Sequence, residues 1–80
     1  MALPDGGQAS TGEEVAALLR ASGVPASEAA ATIFGGEESY FAEIFRGTDG
    51  APLGLATAAT LAEVRGMLTS AGIKRVSVEG

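Results

Sequence analysis

The chain has 80 residues with ten acidic against five basic side chains, no Cys and no His, and a formal net charge of −5. A domain this small buries only about 60% of the surface its unfolded chain exposes. Without thiols or imidazoles it has no disulfide or soft-ligand metal to supplement the core, so self-association or a larger partner is the remaining route to extra stability. The charge has the wrong sign for neutralising phosphates, which disfavours nucleic acid and anionic membranes as direct partners.

Residues 1–10 hold Pro4, Asp5, Gly6, Gly7 and Ser10 with almost nothing to bury. They read as a flexible N-terminal tail, with order expected from Thr11 and one domain over 11–80. The same opening carries no Lys, no Arg and no apolar run, so it is not a secretory signal. No later stretch is apolar for long enough to span a bilayer. The expected location is the cytoplasm or the interior of a larger assembly.

A capped-helix template then appears twice, from Thr11 to Val24 and again from Thr60 to Ile73. In each copy a Thr can accept from first-turn N–H groups, and a Glu three residues on can reach back to the Thr N–H. A Gly closes the far end in the left-handed conformation. The first copy predicts a helix to Ser22 with Val15, Leu18 and Leu19 on one stripe. After Val24-Pro25, a weaker second helix is expected over Ser27 to Phe34, with Ser27 as cap and Gly35-Gly36 as a double stop.

The segment Glu37 to Arg46 admits two readings. Tyr40, Phe41, Ile44 and Phe45 fit a helical stripe, while their aromatic and branched chemistry fits a strand. Gly47-Thr48-Asp49-Gly50 favours a tight reversal, and Leu53 and Leu55 alternate after it, so the segment is read as the first strand of a hairpin. The second template copy predicts a helix over Leu61 to Ala71 with Leu61, Val64 and Leu68 inward, followed by a last strand over Lys74 to Val78. The expected fold is α+β in the order αα–ββ–α–β, with helices packed on a three-stranded mixed sheet whose last strand joins in parallel through a crossover.

Catalysis finds little support in this inventory. The acid–base candidates are carboxylates, Tyr40 and Lys74, and none falls in a nucleophile or metal spacing. Glu13, Glu14 and Glu63 read as helix caps, and Glu37-Glu38 as a solvated edge. Asp49 reads as a turn residue, since a hard-cation loop needs more oxygen ligands than Thr48 and Asp49 supply. Phe34-Gly-Gly-Glu-Glu-Ser would repel a phosphate, having two carboxylates and no Lys. The chain is therefore expected to be non-enzymatic, with no cofactor and no metal.

The stretch from Glu14 to Ile33 resembles the helix–turn–helix of DNA-binding regulators in its helix, Gly-Val turn and second helix. That resemblance implies a nucleic-acid regulator. It departs from the pattern at the recognition helix, where Glu28, Ala29, Ala30 and Ala31 stand in place of base-reading side chains. The order after Ser39 is also similar to small α/β modules such as BON domains, without their glycine spacing, and no family is assigned.

Strand alternation places Tyr40 and Ile44 on one side and Phe41 and Phe45 on the other, so both faces of this strand are apolar. Either a helix of the chain covers the second face, or another chain does. The leading expectation is a non-enzymatic protein–protein interaction module, acting as a small accessory, assembly or structural subunit, for example of a repetitive particle such as a virion, with Tyr40, Phe41, Ile44 and Phe45 as the contact candidates. A small-ligand carrier is the third alternative.

Overall fold

The computed structural model describes residues 8–79. Over these the chain is α+β: strand β1 (Gln8–Ala9), helix α1 (Gly12–Ser22), a short 3-10 turn (Ala26–Glu28), strands β2 (Ala29–Gly35), β3 (Tyr40–Arg46) and β4 (Pro52–Ala58), helix α2 (Leu61–Ser70) and strand β5 (Arg75–Glu79). The strands form one mixed five-stranded sheet in the order β1-β4-β3-β2-β5. β3 runs antiparallel to both neighbours, while β1 pairs parallel with β4 and β5 parallel with β2. Two strand–helix–strand units, β1-α1-β2 and β4-α2-β5, are thus interleaved with an offset of one strand.

The repeated template forms the two helices. Thr11 and Thr60 each accept the N–H of the residue three positions on, at 3.2 Å in both cases. The expected return contact is replaced by others: the Glu14 carboxylate accepts from the Ser10 N–H at 2.7 Å and the Ser10 hydroxyl at 3.0 Å, and Thr60 donates its hydroxyl to Glu63 at 3.1 Å. At the far ends, Gly23 (φ +70°) and Gly72 (φ +93°) take the left-handed conformation. The next N–H in each copy, of Val24 and of Ile73, returns to the carbonyl of Leu19 at 3.1 Å and of Leu68 at 3.0 Å. This pairing buries Val24 and Ile73, the apolar contact that completes such a cap.

Four expectations are corrected. Residues Ser27 to Phe34 form no helix; after the 3-10 turn they enter β2, which lies between β3 and β5 and bonds to both. Alanine gains at most about 0.7 kcal/mol per residue over other ordinary residues in a helix. Burial decides otherwise, with Ala29, Ala31 and Ile33 at 0, 1 and 0% exposure. The sheet consequently has five strands where three were expected. Regular structure also begins before Thr11, because Gln8 and Ala9 pair with Leu55 and Ala56; residues 1–7 of the expected tail lie outside the described residues. Finally, the last strand is Arg75–Glu79 and α2 ends at Ser70.

Both helices pack on one face of the sheet. Val15 and Leu19 of α1 and Val64, Met67 and Leu68 of α2 join Ala29, Ala31, Ile33, Ala42, Ile44 and Ala56 in a single core. Gly12 sits against Ser70, and a Cβ added there would lie 3.0 Å from the Ser70 side chain, so the helices meet at a close approach.

Candidate functional site: the open face of the sheet

Pairing register assigns every strand residue to a face. Opposite the helices, three rows cross the sheet. Thr57, Phe41, Phe34 and Glu79 form one; Leu55, Glu43, Thr32 and Ser77 the next; Pro52, Phe45, Ala30 and Arg75 the third. Two aromatic rows therefore flank a polar one. The Phe34 and Phe41 rings stack with centroids 5.8 Å apart, and Phe34 remains 38% exposed. Glu43, exposed, occupies the middle of this face, beside a shallow hollow lined by Thr32, Phe45, Gly50 and Pro52.

Local sequence explains the placement. The β2–β3 hairpin closes over Gly36 to Ser39, with the Gly36 N–H donating to the Ser39 carbonyl at 2.8 Å. A Cβ at Gly36 would lie 2.8 Å from the Phe41 ring, and one at Gly35 would lie 3.2 Å from the Tyr40 ring. The glycine pair read in the sequence as a helix stop instead seats two aromatic rings, one on each face. At the opposite end, the β3–β4 reversal is pinned by Asp49, whose carboxylate accepts from the Arg46 guanidinium at 3.0 and 3.1 Å and from the Ala51 N–H at 3.1 Å. A register shift beside Ile44 and Phe45 brings Pro52 opposite Phe45.

The four sequence candidates divide by face. Ile44 is fully buried and Tyr40 packs against the core under the helices, whereas Phe41 and Phe45 stand half-buried on the open face. Phe34 and Leu55 join them there. The helical reading of Ser27 to Phe34 misses Phe34, since Ala31-Thr32-Ile33-Phe34 holds a single polar side chain and no apolar–polar alternation to mark it as a strand.

Titratable groups with displaced pKa values lie away from this face and have structural causes. Hydrogen bonds from the Ser10 N–H and then its hydroxyl hold Glu14 below the usual carboxylate range. Asp49 is lowered first by the Arg46 hydrogen bond and then by the Ala51 N–H, and Arg46 is raised by the same contact with Asp49. Among the described residues no three His, Cys, Asp or Glu side chains are grouped so as to hold a metal ion, and no helix is long and apolar enough to cross a membrane. The segment resembling helix–turn–helix has no second helix, because its would-be recognition element is β2 in the interior of the sheet. No family model, curated protein or solved structure matches the chain.

Proposed function

We propose that the protein is a non-enzymatic protein–protein interaction module, a small accessory, assembly or structural subunit that binds its partner through the open face of the sheet. The observation that carries this reading is the row of Phe34 and Phe41 with Phe45 and Leu55 nearby, four large apolar side chains on the face that, among the described residues, no helix covers. Aromatic side chains surrounded by polar ones characterise protein contact surfaces. Glu43, between the aromatic rows, favours a partner that places a cationic or hydrogen-bond-donating group at the centre of the contact. The non-enzymatic part is supported by the use of Glu14, Arg46 and Asp49 in a cap and a turn, where their charges serve local structure.

Two double variants test the reading. Phe41→Ala/Phe45→Ala is expected to keep the fold and lose the partner that the wild-type chain captures from its native host. Tyr40→Ala/Ile44→Ala is expected to unfold the chain, lowering the melting temperature at every protein concentration. A partner captured equally by wild type and Phe41→Ala/Phe45→Ala overturns the assignment of this face.

A further inference from the structure

β5 is an edge strand with an unusual property: it is complementary to itself. Its inner edge pairs with β2, and among the described residues its outer edge pairs with nothing. Free edges are ordinarily blunted by shortness, charged side chains, proline or a bulge. The opposite edge follows that rule, since β1 has two residues and β4 begins at Pro52. β5 has five residues, Arg75-Val-Ser-Val-Glu79, with neither proline nor bulge, and its two charges are of opposite sign, so they repel a strand of other sequence but match a second antiparallel copy.

Antiparallel pairing of two copies about Ser77 sets Arg75 opposite Glu79 of the second copy, Val76 opposite Val78, and Ser77 opposite Ser77. The side chains agree with this register on both faces. Arg75, Ser77 and Glu79 share the open face, through their pairing with Ala30, Thr32 and Phe34. Val76 and Val78 share the helix side, opposite Ala31 and Ile33. Val78 is 50% exposed even though it points to the side the helices cover. In the paired arrangement Val76 of the second copy stands beside it. Shifting the register by two residues in either direction sets a charged residue opposite Ser77 and removes both ion pairs. Shifting it by one sets valine opposite serine and puts the two helical layers on opposite sides of the sheet.

We propose that two copies of the chain associate through β5 in this register, joining their sheets into one ten-stranded sheet with Arg75–Glu79 pairs at both ends of the seam. The arrangement is closed by a two-fold axis and leaves the open aromatic faces side by side and unobstructed. In the single chain the Arg75 guanidinium leans back toward Gly47, where a Cβ would lie 3.3 Å from it. Arg75 is exposed and free to swing outward to the second copy.

Sedimentation and light scattering across a concentration series test this on the full chain. Wild type is expected to reach twice the chain mass. Arg75→Glu and Glu79→Arg, each placing like charges opposite one another, are expected to weaken association by about tenfold or more, and the double reversal Arg75→Glu/Glu79→Arg to restore it. Phe41→Ala/Phe45→Ala is expected to dimerise as wild type does. Because the chain has no cysteine, Ser77→Cys is expected to give a single disulfide-linked dimer on mild oxidation. A wild type that stays monomeric at millimolar concentration overturns the proposal. So does a dimer indifferent to the single reversals, one not rescued by the double reversal, one lost in Phe41→Ala/Phe45→Ala, or one that Ser77→Cys fails to trap.

Discussion

The two faces of the sheet are made by alternate residues of the same strands, yet of the four aromatic side chains only Tyr40 lies on the covered one, with Phe34, Phe41 and Phe45 on the other. Under the helices lie Ala29, Ala31, Ala42 and Ala56, with Ile33 and Ile44 the largest sheet side chains fully buried there. On the open side lie Phe34, Phe41, Phe45 and Leu55. Small side chains on the covered face let the helices approach, and the helices supply much of the core volume through Val15, Leu19, Val64, Met67 and Leu68. A face that only had to meet water gains nothing from three phenylalanines. On the function proposed above, the covered face serves stability and the open face recognition.

The largest expected effect breaks the covered face directly. Ile44→Ala truncates a side chain with no exposure, and a cost of about 2–5 kcal/mol is expected for such a buried deletion. Phe41→Ala, one face away and three positions earlier, loses mainly its partly exposed area and its stacking with Phe34, a contact worth about 0.5–1.5 kcal/mol. Urea denaturation of the two variants measures the contrast. Equal losses would mean that the open face is as structural as the covered one.

Insertion sharpens the same contrast with a smaller effect. Ala42 and Thr32 both sit in central strands, but Ala42 is 0% exposed beneath the helices and Thr32 is half-buried on the open side. Ala42→Leu adds volume where none is free and is expected to cost about 1–3 kcal/mol through displaced neighbours. Thr32→Leu extends into solvent between Glu43 and Ser77 and is expected to leave the denaturation midpoint nearly unchanged. A neutral Ala42→Leu would show a loosely packed helix–sheet interface.

How far the sequence reveals this arrangement depends on which forces act locally. Helix boundaries were legible because caps are local: Thr11, Gly23, Thr60 and Gly72 each specify their own backbone geometry within a few residues. The β3–β4 hairpin was legible for the same reason, through Asp49 and Gly50. β2 was not, because Ala29-Ala30-Ala31 has helix-favouring composition and becomes a strand only through pairing with β3 and β5, which are distant in sequence. β1 was invisible for an allied reason, since two residues with a single buried alanine carry no periodicity. Within the proposed contact face, alternation puts Phe41 on the opposite side from Ile44, as the structure has it, but Phe34 joins it only once β2 is a strand.

The smallest expected effect concerns acid. The described core contains no buried polar or charged side chain, so acid sensitivity enters at the periphery, where Glu14 and Asp49 hold the α1 cap and the β3–β4 turn. Both carboxylates have pKa values lowered in the folded chain by the hydrogen bonds they accept. A folded pKa below the unfolded one means that the unfolded chain binds protons first as pH falls, so the contribution is fully present above the ordinary carboxylate range and is lost on descending through the lowered values. Both groups are solvent-exposed and screened, which keeps the slope shallow. Thermal melts between pH 7 and pH 2 are expected to show a gradual decline on the acid side, flattened in Glu14→Gln/Asp49→Asn. An acid slope unchanged in that double variant would show that these two carboxylates are not responsible for it.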